Sequence, residues 1–384
     1  MIIKNAMVFQ EDGTFQKKDI YLEKGFLVSS EEEVTDKTEI DASGLKAIPG
    51  LVDVHSHGAF GHDFCDADPE GLKVILKYEK EHGITSYCPT SMTLAKEKLL
   101  EIFASVKDME TSSDMARIAG INMEGPFVDV KKKGAQASEH ICPPDPDFFR
   151  LCNEHCGNII KLVTLSPKEE RAMDFIRELK DEVMISLGHT TADYNCAKAA
   201  MDAGAAHVTH LFNAMPPFAH RDPGVIGAAL DTENCMAELI CDGYHIHPSM
   251  IRAAFKMFGE ERICLISDSM MATGMPDGTY ELGGQAVYMK DRFAALSDGT
   301  LAGSATNLFD CMKKAMEFGI PESTAIFAAT RNPAKSIGIY DKVGSITPGK
   351  YSDLVIVDDQ YEAVKKRRVV IRHLPRRLSQ IWGL

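Results

Sequence analysis

No apolar run in this 384-residue chain approaches the ~20 residues a membrane-spanning helix needs, which excludes a helical membrane protein. The opening stretch, MIIKNAMVFQEDG, lacks a basic start, a long apolar segment and a small-residue cleavage site, so the expectation is a cytoplasmic chain. The ten cysteines contain no CxxC pair, and in a chain of this length they read as reduced, mostly buried thiols. Positive charge is also short: 42 Lys and Arg stand against 56 Asp and Glu, a net charge of −14. That balance argues against a nucleic-acid-binding surface. A small anionic substrate stays open, because a few local cations dominate a pocket. What is present is ordinary globular composition, 45% hydrophobic and 26% charged, with length enough for a large core.

Two rhythms divide the chain. Residues 1–48 read as short strands and turns, with MIIKNAMVF and DIYLEKGFLVSS separated by QEDGTF. From residue 49 apolar strands alternate with helical stretches. The strands are IPGLVDVH, ITSYCPTS, RIAGINMEG, IIKLVTLSP, VMISLGH, HVTHLFNA, MAELICDGYH and ICLISDS; KEKLLEIFASVKDM, KEERAMDFIRELKDE and TADYNCAKAAMDAG are helical candidates between them. Eight such units predict a (β/α)8 TIM-like barrel over 49–339 rather than an open doubly wound sheet. Residues 270–303 read as irregular. GSITPGKYSDLVIVDD returns to strand character, so residues 1–48 and 340–384 are expected to form one small β-sandwich. The basic tail EAVKKRRVVIRHLPRRLSQIWGL reads as a frayed end rather than a patch for an anionic partner.

The ends of the predicted strands carry the chemistry. His55 and His57 share a face, since alternate strand residues point the same way. Glu124 ends the third strand, His189 the fifth, His210 the sixth and Asp268 the eighth. Taken singly, each has a plainer role: His189 a turn residue after Gly188, Glu124 a loop acid, Asp268 an N-cap. Taken together they converge, because the C-terminal strand ends of a barrel surround one site. Mixed histidine and carboxylate donors suit Zn²⁺ or another borderline divalent ion.

The run PGLVDVHSHG, the later strand-end histidines and the strand-eight Asp resemble the amidohydrolase superfamily. Within it, MEGPF followed by KKGA, then LGHTTADY, THLFNAMPPFAHRDPG, ICDGYHIHP and LAGSATNL are similar to the N-acetylglucosamine-6-phosphate deacetylase family, from about Ile48 to Asp358. The resemblance implies metal-dependent hydrolysis of the acetamide of N-acetylglucosamine 6-phosphate to glucosamine 6-phosphate and acetate, in amino-sugar catabolism or recycling. It makes Glu124, His189 and His210 the ligands of the catalytic metal and Asp268 the general acid/base. It puts substrate contacts on Ala135, Gln136, Asn213, Ala214, Arg221, His245, Leu301, Ala302 and Gly303. The implied cofactor is a divalent metal, zinc first, with iron, manganese or cobalt as the other ions these donors accept. One or two ions are expected per subunit. The implied partners are a small phosphorylated amino sugar and a second copy in a homodimer, with no nucleic acid and no membrane.

Two departures stand out. Many members carry a histidine two residues beyond the loop glycine, where this chain has Gln136; glutamine donates a hydrogen bond without a positive charge. Some members lack one or both strand-one histidines, whereas this chain keeps His55 and His57, which are expected to hold a second ion. Arg221 offers a fork for a phosphate, or an ion pair to Asp222. The alternatives are a deacetylase for the galactosamine epimer, another amidohydrolase acting on a related amide, or a catalytically dead sugar-phosphate sensor. A carboxylated lysine bridge, with Lys168 as the nearest candidate, is disfavoured because Glu124 already fills a ligand role.

Overall fold

The computed structural model describes residues 1–361 and the strand Val369–Ile371. Apart from that strand, the basic tail lies outside the described residues.

The eight expected strands form a parallel barrel: β1 (Leu51–Ser56), β2 (Ile84–Ser91), β3 (Ile121–Glu124), β4 (Ile160–Leu165), β5 (Met184–Leu187), β6 (His207–Val208), β7 (Met236–Ile240) and β8 (Ile263–Ile266). They pair in chain order from β1 to β8. Parallel strands covered on both faces lose the polar alternation of an exposed sheet, and here β1 and β2 are buried along their whole length. A helix follows each strand: α1 (Pro69–Glu81), α2 (Lys96–Ala104), α3 (Pro146–His155), α4 (Ala172–Leu179), α5 (Tyr194–Ala203), α6 (Gly224–Leu230), α7 (Pro248–Phe258) and α8 (Leu308–Glu317). Asp68, Asp145, Asp193 and Asn307 start α1, α3, α5 and α8, their side-chain oxygens accepting backbone N–H bonds left over at the helix start.

The ring closes without a regular ladder between β8 and β1. Instead the Asp268 amide donates to His55 O at 2.9 Å, and the His57 and Gly58 amides donate to Ser269 O at 2.8 and 3.1 Å. The seam therefore runs through the residues expected to do the chemistry.

Strands from the first 49 residues join Leu354–Val357 and Val369–Ile371 in one mixed seven-stranded sheet. Leu354–Val357 pairs antiparallel with Lys46–Pro49, which leads directly into β1. Ile3, Val8, Ile20, Leu22, Ala47, Leu354 and Ile356 pack its separate core.

Residues 270–303 depart from the irregular reading. Gly278–Leu282, Gln285–Lys290 and Phe293–Ala295 form an antiparallel meander. The pairs Gly283-Gly284 and Asp291-Arg292 both hold positive φ, as two-residue hairpin turns require. Leu282, Val287 and Met289 face inward at alternating positions, and the meander becomes one wall over the strand ends.

Candidate functional site

The C-terminal strand ends open into a cavity of about 510 Å³ lined by His57, Glu124, His189, His210 and Asp268. Glu124 Oε1 lies 3.0 Å from His189 Nε2 and 3.1 Å from His210 Nε2, and the two Nε2 atoms are 3.0 Å apart. His55 Nε2 lies 3.6 Å from Glu124 Oε1, and His57 Nε2 lies 3.5 Å from Oε2. His57 Nε2 is also 3.3 Å from Asp268 Oδ1. Four imidazoles from three strand ends thus surround one carboxylate, and His55 and His57 share Glu124 rather than facing away from it.

The far side of the His189, His57 and His55 rings explains their aim, and a backbone bond holds His210. His189 Nδ1 bonds Lys132 O at 2.9 Å and His57 Nδ1 bonds Thr90 O at 3.1 Å. A carbonyl only accepts, so these nitrogens carry the protons and Nε2 presents a lone pair. His55 Nδ1 bonds Glu238 Oε2 at 2.9 Å, and the same oxygen accepts the His210 amide at 3.1 Å. Carboxylate or carbonyl partners behind histidine are the usual support of metal ligands.

The His189 lone pair, His210 Nε2 and Glu124 Oε1 converge within about 3 Å of one another, an arrangement that a shared cation satisfies. The donors of a tetrahedral ion with 2.0–2.1 Å bonds lie roughly 3.3 Å apart, close to the spacing of Glu124, His189 and His210. The donor set fits a divalent metal, and His55, His57 and Glu124 form a second group of the same kind. The packed charges also shift the titration of these groups. Burial disfavours the imidazolium, yet Glu238, Glu124 and Asp268 outweigh it and hold the His55 pKa well above its ordinary value; His57 is raised against its burial by Asp268 and Glu124. Burial would raise Glu124, but His55 and His189 hold it well below the usual carboxylate range; Asp268 is lowered against its burial by His55 and His57.

Local backbone sets these angles. His189, His210 and Asp268 have φ of 43°, 26° and 49°, sparsely populated conformations that recur at functional sites. Gly188 before His189 has no room for a side chain: a Cβ there would meet Thr209 Cβ at 2.7 Å and Thr164 Cγ2 at 2.9 Å. After His210 the chain keeps turning, with φ of 78° at Phe212 and 52° at Ala214. Asp129 ties the loop after β3 to the end of β5, its amide donating to His189 O and its carboxylate accepting from Thr191.

Of the expected substrate contacts, Ala135, Gln136, Asn213, Ala214, His245, Leu301 and Gly303 line the cavity. Ala302 does not; it is fully buried behind Leu301, its amide donating to Ala294 O. Arg221 is exposed outside the cavity wall, its guanidinium 2.7 Å from His220 Nε2, and it forms no ion pair with Asp222 among the described residues. Lys168 is exposed beyond β4. His245 is held by Asp242 at 2.7 Å. Burial opposes its charge, but Asp242, with Asp268, raises its pKa. Lys131, Lys132, Lys133 and Gln285 also line the cavity and were not anticipated, although three successive lysines in an acidic chain were a visible signal. Glu238 was missed as well. The ten cysteines are free, with only Cys142 and Cys196 half-exposed. Among the described residues, no helix is long and apolar enough to cross a membrane.

Residues 47–374 match the profile described as the amidohydrolase family. The chain is 42% identical over 323 residues to the N-acetylglucosamine-6-phosphate deacetylase of Bacillus subtilis (strain 168), covering 83% of this chain and 82% of that one. It is 31% identical over 366 residues to the N-acetylgalactosamine-6-phosphate deacetylase of Escherichia coli O157:H7, covering 93% and 95%. A solved structure of the Mycobacterium smegmatis N-acetyl-D-glucosamine-6-phosphate deacetylase, in complex with N-acetyl-D-glucosamine-6-phosphate, superposes with a TM-score of 0.88 at 28% identity, covering 97% and 98%.

Proposed function

The chain belongs to the amidohydrolase family, and from that membership we propose that it hydrolyses the acetamide of N-acetylglucosamine 6-phosphate to glucosamine 6-phosphate and acetate. The observation that carries this reading is the convergence of four imidazoles on Glu124, beside Asp268, in a cavity of sugar-phosphate size within a chain whose relatives bear that activity in their names. A dead sensor would have lost ligands, whereas Glu124, His189, His210 and Asp268 all stand in place.

Glu124, His189 and His210 would hold the catalytic divalent ion, with zinc proposed first and iron, manganese or cobalt accepted by the same donors. His55 and His57, sharing Glu124, would hold a second. Such an ion, when bound, polarises an amide carbonyl and lowers the pKa of water. The protein's own part in the reaction is proton handling and positioning. Asp268, whose Oδ1 lies 3.3 Å from His57 Nε2 at the edge of the ligand cluster, takes a proton from the attacking water at its carboxylate and returns it to the departing amine nitrogen. The backbone turn at Asn213 and Ala214, the raised-pKa His245, and Leu301 and Gly303 would orient the sugar phosphate from the cavity wall. Arg221 is proposed for the 6-phosphate. Its exposed position outside its own cavity suits a homodimer with the phosphate pocket near the subunit boundary.

Metal analysis of the purified protein with an acetate-release assay on both 6-phosphorylated N-acetyl sugars tests the proposal. Stoichiometric divalent metal with faster release from the gluco epimer supports it. Faster release from the galacto epimer moves the substrate to the epimer, and absence of release from either overturns the activity.

A further inference from the structure

The family resemblance places a histidine where this chain has Gln136, and the expectation was a contact to substrate. The geometry points elsewhere. Gln136 is 1% exposed, and its amide is committed on both sides. Oε1 accepts the Thr93 backbone N–H at 2.6 Å, and Nε2 donates to Glu124 Oε2 at 2.7 Å, with Met92 Sδ at 3.6 Å. A backbone N–H can only donate, so the oxygen of the amide must face Thr93 and the nitrogen must face Glu124.

We propose that Gln136 is a positioning residue for the metal ligand Glu124. It holds Oε2 so that Oε1 is the oxygen offered to the His189 and His210 pair. The inference rests on the reading that Glu124, His189 and His210 bind a divalent ion.

Three further features hold the arrangement. The Gln136 backbone N–H donates to Lys133 O at 2.9 Å, and Lys133 Nζ donates to the Gln136 backbone carbonyl at 3.2 Å, closing the loop on itself. Gln285 of the meander donates to Ala135 O, pinning the loop from the opposite wall. On the other side Thr93 packs into Gly125, where a Cβ would meet Thr93 Oγ1 at 2.2 Å; the Thr93 segment, Gln136 and Glu124 therefore form one packed unit. The choice of an amide has a chemical consequence. An imidazolium in this place would neutralise part of the charge that makes Glu124 a ligand, while a neutral N–H restrains the carboxylate and leaves its charge intact.

The test is metal binding by Gln136→Leu and Gln136→Met, the second matching the length of glutamine and serving if the first fails to fold. Co²⁺ affinity is measured by chelator competition, together with the Co²⁺ absorption spectrum and steady-state kinetics at rising Co²⁺. The expected result is affinity lower by about 10- to 100-fold, the usual loss when a ligand's outer partner is removed. The spectrum should change, and the midpoint of activity against Co²⁺ should shift by the same factor. Native affinity and spectrum in both variants, with kcat/KM reduced at saturating Co²⁺, would place Gln136 on the substrate and overturn the proposal. If the native protein itself binds no Co²⁺, the metal reading fails first.

Discussion

Glu238 is where the architecture makes its most exposed claim. Its Oε2 accepts both the His55 ring N–H and the His210 backbone N–H, so one buried atom orients a ligand candidate from β1 and another from β6. Glu238→Ala leaves both donors buried and unmet. Breaking a buried charge pair costs about 3–5 kcal/mol of stability, and losing the support behind a ligand costs about 10- to 100-fold in metal affinity. Glu238→Gln separates geometry from charge. Both bonds fall on a single oxygen, which glutamine also has, so its carbonyl can keep them while the negative charge is lost. The expected loss for glutamine is near the lower end, about tenfold in affinity, with far less destabilisation than alanine. Chelator-competition titration and thermal unfolding of the metal-free and loaded forms measure both. Native metal affinity in Glu238→Ala would refute the reasoning outright. Equal losses in the two variants would show that charge, not the shared hydrogen-bonding atom, does the orienting.

Arg221→Ala should mostly weaken capture, by about 10- to 150-fold in kcat/KM if one charge-assisted phosphate bond of roughly 1.5–3 kcal/mol is lost. It should also erase the preference for the phosphorylated over the unphosphorylated sugar, and an equal loss on both sugars would argue against the phosphate role. Asp268→Asn should lower kcat by at least ~10²-fold with substrate still bound, as steady-state kinetics on the metal-loaded protein would reveal. The double variant His55→Asn with His57→Asn should carry less metal per chain than the native protein; identical metal content by elemental analysis removes the second ion. His245 has a raised pKa, so its cationic help in binding a phosphate is complete at lower pH and is lost as pH rises through that raised value. KM should climb on the alkaline side, and His245→Gln should flatten that limb.

The strand ends were readable because each donor closes a strongly apolar run, and a barrel sends every such end to one rim. What the sequence could not convey was rotation. Glu238 lies inside MAELI, where one acid in a buried strand signals an unusual environment, but nothing local says that its carboxylate reaches β1. Asp53 in GLVDVH looks equivalent, yet its Oδ1 accepts the backbone N–H groups of His55 and Ser267 instead of a histidine ring. Gln136 was assigned by the place it occupies, and only the Thr93 amide across from it reveals which way its side chain is used. The meander was legible in principle from Gly283-Gly284 between alternating residues, but its turns hold positive φ at Asp291 and Arg292, residue types that do not announce it. Arg221 has a residue type that suits an anion, but the sequence does not say that the fold sets it outside the wall of its own cavity.

The irregular seam between β8 and β1 bears on the order in which the molecule is made. Ser56 and Ser269, which bond across it at 2.6 Å, are 213 residues apart in the chain. Contacts between such distant segments carry the largest loop-closure entropy and form late relative to local ones. The two histidines of β1 leave the ribosome early, yet they meet Asp268 only after the final strand has docked. A nascent chain lacking that strand holds an incomplete ligand pocket, so uptake of metal by the full set of donors reports completion of the ring rather than collapse of the core.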